Sequence, residues 1–172
     1  MVVINLGYTS PINRPGQSPV LTQAQVYARL ELKVRQATSF VPLIAQCTVI
    51  SEETNTDTGG SRVVTREVQF RAGAGPRADG GPVREVCMHF APARIDFCQD
   101  NGTTIGNYVT LGPGGEPHGL FLTFVFMWRY PAVAAGSEQA LKLEAVHKDT
   151  AKSSVEATIE GTRQLVAQGE IA

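Results

Sequence analysis

Apolar and polar positions alternate through most of this chain, and in two stretches that period of two gives way to a helical one. The opening Val2 to Thr9 (VVINLGYT) is β-rich and runs into the turn-prone SPINRPGQSP. In LTQAQVYARLELKVRQ, Thr22 and Gln25 have capping-box spacing, and Leu21 and Val26 are placed for the hydrophobic staple around it. Val26, Leu30 and Val34 (or Lys33) then recur at helical spacing, which predicts a helix from about Gln23 to Gln36. Pro42 in SFVPLI marks a short second helix or a corner.

From there to Tyr130 the pattern predicts strands and turns. AQCTVISEE is closed by the polar TNTDTGGS, and RVVTREVQF and PVREVCMHF flank the glycine-rich RAGAGPRADGGP. ARIDFCQD leads into Asn101-Gly102, a hairpin signal, followed by TIGNYVTL. LFLTFVFMWRY is the most apolar strand and is expected to be central. Leu122, Phe124, Phe126, Trp128 and Tyr130 share one face of it, and apolar residues on the other face imply a second cover, for which a partner subunit is one candidate. After Ser137, a good N-cap, Leu143, His147, Ala151, Val155, Ile159, Thr162 and Val166 form one stripe of a long helix ending before Gly169. Gly161 inside it should cost about 1 kcal/mol relative to Ala, so a kink or a close approach to the sheet is expected there.

The order strand, helix, short helix, six strands, long helix is α+β rather than βαβ. At 172 residues one domain, 1–172, is expected. Apolar residues make up 42%, charged residues 18%, and the formal net charge is −1, without the clustered basic excess of a nucleic-acid binder. No apolar run approaches the roughly 18 residues of a membrane span, and the first residues do not read as a signal peptide, so membrane insertion is not expected and a cytoplasmic location is. Cys47, Cys87 and Cys98 are odd in number and lack CxxC spacing, which fits reduced thiols.

INLGYTSPIN, VVTREVQF, PVREVC, GTTIGNYVTLGP, FVFMWRYP and GSEQA together resemble the acetylaranotin biosynthesis cluster protein L-like family, once described only as a domain of unknown function, within the START-like (SRPBCC) superfamily. The resemblance implies the helix-grip fold: a curved antiparallel sheet of about seven strands around a long C-terminal helix, with two short helices after the first strand. It also implies an internal cavity for an apolar small molecule, since relatives include carriers of apolar ligands, pathogenesis-related proteins and aromatic polyketide cyclases. Pathogenesis-related relatives carry their glycine-rich loop between the second and third strands. Here it lies between the third and fourth, so the phosphate-loop analogy is not carried over.

The tripeptide Arg-Glu-Val occurs twice, at Arg66-Glu67-Val68 and Arg84-Glu85-Val86. Alternation groups Val64, Arg66, Val68 and Phe70 on one face, and Arg84, Val86, Met88 and Phe90 on one face of the next strand. If these faces line a cavity, Arg66 and Arg84 are candidate anchors for an acidic oxygen; if the sheet is flipped, Glu67, Glu85 and His89 replace them. The competing reading is an ordinary Arg–Glu ladder on a solvated face. The loop between the strands reads as a flexible connection or as a lip over the cavity.

His147 lies on the buried stripe of the last helix, where it is either a satisfied core histidine or a general acid or base. Tyr108 offers a hydroxyl to a ligand if it, rather than Asn107, faces inward. With His147, Tyr108 and Glu85 as candidate catalytic groups, the expected ligand-binding set is Arg66, Arg84, Val68, Phe70, Met88, Phe90, Phe124, Trp128, Leu143 and Val155. His118 reads as solvated, and His89 and His147 lack the further ligands a metal site needs. No cofactor is implied. Two functions fit: a cofactor-independent isomerase or cyclase of secondary metabolism, or a carrier of an apolar metabolite. A structural module with a side-chain-filled interior is the third.

Overall fold

A computed structural model describes residues 1–56, 59–77 and 79–172. Asp57 and Thr58 of the TNTDTGGS turn and Ala78 of the glycine-rich loop lie outside the described residues. The elements run β1 (Val2–Pro11), α1 (Gln23–Arg35), a 3₁₀ turn (Ala37–Ser39), β2 (Ile44–Asn55), β3 (Ser61–Phe70), β4 (Val83–Phe90), β5 (Arg94–Gln99), β6 (Thr104–Leu111), β7 (Leu120–Tyr130) and α2 (Glu138–Ala167).

All seven strands form one antiparallel sheet in the order β1-β7-β6-β5-β4-β3-β2. β2 to β7 follow one another as a meander, and β1 adds to the free edge of β7. The expected position of β7 needs correction. It is interior but next to the edge strand, and β5 is the middle one. Its two-sided apolarity comes from α2 over the inner face and from an outer row that is only half-buried at Phe121 and Met127 and 46% exposed at Val125.

Local chemistry sets the helices. At α1 the Thr22 side chain accepts from the Gln25 amide while the Gln25 side chain accepts from the Thr22 amide, the reciprocal capping box. At α2 the Ser137 hydroxyl accepts from the Ala140 amide, and Glu138 sits in the positive first turn. The close approach at Gly161 is to α1 rather than to the sheet. A Cβ there would run into the guanidinium of Arg29 on α1.

α1 packs Val26, Leu30 and Val34 into the main core, together with Val64, Cys87, Ile95, Phe97, Leu122 and Phe124 of the sheet. The α2 stripe is sealed at its C-terminal end, where Ala151, Val155, Ile159 and Thr162 are buried, and only half-buried at Leu143 and His147. The N-terminal half of α2 therefore stands over a space rather than over packed side chains. Among the described residues no helix is long and apolar enough to cross a membrane.

Candidate functional site

The space under α2 is a cavity of about 450 Å³, within the range usual for small-molecule sites. Its sheet side is formed by Phe97, Ile105, Phe126 and Trp128, its helix side by Leu143, His147 and Thr150, and its rim by Leu43 and the β3–β4 loop at Gly73 to Pro76. The glycine-rich loop thus borders the opening.

The register of β3 and β4 decides which charges enter. Arg66 pairs with Glu85, and Glu67 with Arg84. Directly opposed residues share a face, so Arg66 and Glu85 point inward, 3% and 4% exposed, while Arg84 is exposed on the other side. Grouping Arg66 with Arg84 was therefore wrong. The inner row of β4 is Val83, Glu85, Cys87 and His89, and Met88 and Phe90 face out, with Phe90 under the Arg94 guanidinium at 4.0 Å. β6 is set the same way: Asn107 is buried and Tyr108 faces out, its ring lying across Gly106 so closely that a Cβ would not fit. Tyr108 lines a separate outer groove with Asp96, Cys98 and Met127, away from the cavity.

Phe70, Trp128 and Leu143 of the expected ligand-binding set do line the cavity, as do Arg66, Glu85 and His147. Val155 and Phe124 are sealed in the main core, and Val68 packs with Ala37, Ile44 and Val83 in a smaller cluster. These three lie behind the lining.

At the floor, Arg66 is fully committed. Its Nε and Nη2 donate to Glu85 Oε2 at 2.8 and 2.6 Å, and its Nη1 donates to the carbonyls of Lys33 and Val34 at 2.8 and 2.7 Å. Those carbonyls belong to the last turn of α1, where no intrahelical donor remains. Glu85 Oε1 accepts from Gln99 Nε2 at 2.8 Å. The ion pair therefore ties the end of α1 to the sheet.

Lys33 is different. Its Nζ lies 4.6 Å from the Phe124 ring centroid and 5.4 Å from that of Phe97, with no hydrogen bond or carboxylate partner among the described residues. Desolvation, with the Arg66 charge as the next cause, pushes its pKa down to about 8. With Arg66 and Glu85 cancelling, Lys33 is the uncompensated charge among the described residues that line the cavity.

Near the helix, Tyr130 Oη and His147 Nε2 are 2.6 Å apart. His147 stacks on Trp128 at 3.8 Å, and Trp128 on Phe126 at 4.4 Å, so alternate β7 residues build an aromatic column that ends on the imidazole. Burial holds His147 below the ordinary histidine range and raises the Tyr130 phenol, so both groups rest neutral. A neutral imidazole hydrogen-bonded to a neutral phenol, beside an apolar cavity, can pass a proton in either direction.

The sequence reading missed Lys33 and the role of Tyr130. Each carried a faint signal. Lys33 is three residues after Leu30 on the buried stripe of α1, and Tyr130 ends the inward series of β7.

The profile of the acetylaranotin biosynthesis cluster protein L family matches residues 6–169. The chain belongs to that family. No curated protein matches it in sequence. Among solved structures it is similar to the Zhui aromatase/cyclase from Streptomyces sp. R1128, at 14% identity and a TM-score of 0.61 over 96% of each chain. A START superfamily protein from Mycobacterium smegmatis matches at 10% identity and a TM-score of 0.57, over 95% of this chain and 98% of that one. The di-domain aromatase/cyclase BexL matches at 15% identity and a TM-score of 0.56, over 94% of this chain; the chain spans about half of BexL, 49%. These likenesses establish the START-like helix-grip fold.

Proposed function

We propose that the chain binds an apolar, carbonyl-bearing small molecule in this cavity and acts on it as a cofactor-independent isomerase or cyclase of secondary metabolism. The observation that carries the reading is the Tyr130–His147 contact of 2.6 Å on the wall of a cavity that also holds the unpartnered ammonium of Lys33. Tyr130 Oη takes a proton from the carbon beside the ligand carbonyl as His147 takes the phenol proton, and the relay reverses to protonate the product. Lys33 opposes the negative charge that develops on the carbonyl oxygen. The apolar walls hold the folded chain of the ligand in one conformation. The family's association with a biosynthetic cluster and the fold shared with aromatase/cyclases support this class of reaction.

The test uses β-tetralone, an apolar bicyclic ketone, and the fluorescent anion anilinonaphthalene sulfonate. The protein is expected to bind both competitively and to speed deuterium exchange beside the ketone, read by NMR. Tyr130→Phe and His147→Ala should each abolish the acceleration while retaining binding. Binding with no acceleration in the unaltered protein supports a carrier instead, and the absence of binding defeats both.

A further inference from the structure

The chain has four lysines, and three of them, Lys142, Lys148 and Lys152, lie on the exposed side of α2. Two of those are paired, Lys142 with Glu138 at 2.6 Å and Lys148 with Glu144 at 2.9 Å. Lys33 alone lines the cavity, and there the ordinary means of holding an ammonium are missing. The nearby carboxylate, Glu85, is occupied by Arg66 on one oxygen and by Gln99 on the other. The Arg66 guanidinium, anchored to Glu85 and to two α1 carbonyls, is a fixed positive neighbour. Nζ lies over the Phe124 and Phe97 rings where the cavity begins, and among the described residues no hydrogen bond or ion pair holds it. A desolvated amine beside a fixed cation is the arrangement that brings the neutral, nucleophilic form of lysine within reach of the ammonium near neutral pH, so that the same residue can draw in the carbonyl oxygen as a cation and attack the carbon as an amine.

From this geometry we infer that Lys33 is a covalent site, whose ε-amine condenses with the carbonyl of the bound ligand to form an imine. The nitrogen lone pair attacks the carbonyl carbon, the C=O π electrons move to oxygen, and a proton passes from nitrogen to that oxygen to give a carbinolamine. The hydroxyl then leaves as water with a proton from the Tyr130–His147 pair, which lines the same cavity, and the nitrogen is left as an iminium. No oxidant or reductant is needed: condensation releases one water, and hydrolysis of the adduct consumes one. The iminium acidifies the neighbouring C–H far more than the ketone does. Its enamine is then a carbon nucleophile suited to closing a ring on a second carbonyl of the same chain. The ligand class is therefore a di- or polyketone rather than a hydrocarbon or a fatty acid. The inference rests on the ligand reading above.

The experiment incubates the unaltered protein with β-tetralone and cyanoborohydride, which traps an imine as a secondary amine. One adduct is expected, heavier than the protein by one tetralone less its oxygen, and peptide mapping should place it on Lys33 at least about tenfold above the three α2 lysines. Lys33→Met should abolish the adduct while circular dichroism and the melting transition show the fold intact. If that variant does not fold, the mapping on the unaltered protein decides alone. Displacement of anilinonaphthalene sulfonate by β-tetralone with no adduct, or with label spread over Lys142, Lys148 and Lys152, overturns the covalent role and leaves the ligand reading standing. Failure of β-tetralone to displace the dye overturns both.

Discussion

Arg66 and Glu85 face each other across the β3–β4 ladder, both nearly without solvent contact, and the guanidinium that holds the carboxylate also caps the last turn of α1. A buried ion pair contributes little against a well-packed apolar pair, but removing one partner strands the other. Glu85→Leu should therefore cost about 3–5 kcal/mol, read from urea midpoints. Adding Arg66→Met should recover only part of the loss, because the Lys33 carbonyl is then left without a donor, at roughly 1–3 kcal/mol, and the Val34 carbonyl keeps only the weak Cys47 thiol at 3.8 Å. A double variant as stable as the parent sinks the capping role.

That relationship also marks the limit of what the sequence discloses. The helices were legible because their signals are local: the Thr22–Gln25 box, the Ser137 cap and the stripe from Leu143 to Ile159, spaced by four, need no partner to be read. The identity of β3 and β4 was legible too. Which face of β4 looks inward was not, since it depends on the register across a loop of irregular length, and a shift by one position exchanges Arg84 for Glu85. Alternation similarly allowed Asn107 or Tyr108 to face in, and only packing chose Asn107. The surroundings of Lys33 and the Tyr130–His147 contact are products of how α1 and α2 seat on the sheet, so local spacing puts these residues on inward faces but does not specify what they meet.

Lys33 should make the protein less stable at neutral pH than an apolar residue would. Its pKa falls from 10.5 to about 8 on folding, so the folded state holds the proton less tightly than the unfolded chain. The penalty is therefore full below about pH 8 and fades as pH rises toward 10.5. Lys33→Met should stabilise by about 1–3 kcal/mol at pH 7, with the gain shrinking steadily by pH 10. Denaturation curves at several pH values check this, and a gain that does not change with pH would contradict it.

His89 should govern part of the acid sensitivity. It is buried on the inner row of β4, its Nδ1 is 3.3 Å from Arg62 Nη2, and its Nε2 has no partner. Burial first, then the charges of Arg62 and Arg35, lower its pKa from 6.5 to about 4, with Glu52 opposing. A lowered folded value means that stability is complete above pH 6.5 and is lost as pH falls toward 4, by roughly 3 kcal/mol. His89→Leu leaves Glu31, Arg35, Glu52 and Arg62 in place. The slope of stability against pH between 6.5 and 4 should flatten in that variant, and an unchanged slope refutes the assignment.

The aromatic column supplies its own reporter. Trp128 is the only tryptophan in the chain, and the His147 ring stacks on it at 3.8 Å with planes 9° apart. An imidazolium quenches indole emission far more than a neutral imidazole does, so fluorescence should drop as His147 gains its proton. Desolvation lowers that pKa below 6.5, which places the midpoint of the drop on the acid side of pH 6.5 rather than at the value of a free histidine. His147→Gln should remove the transition, whereas His89→Leu should leave it, separating the two buried histidines. An apolar ligand entering the cavity excludes water from the same face of the column and should push the midpoint lower still, giving a binding assay that needs no label. A midpoint at or above 6.5 in the unliganded protein would mean that the imidazole is solvated and that the proton relay with Tyr130 lacks the dry surroundings it requires.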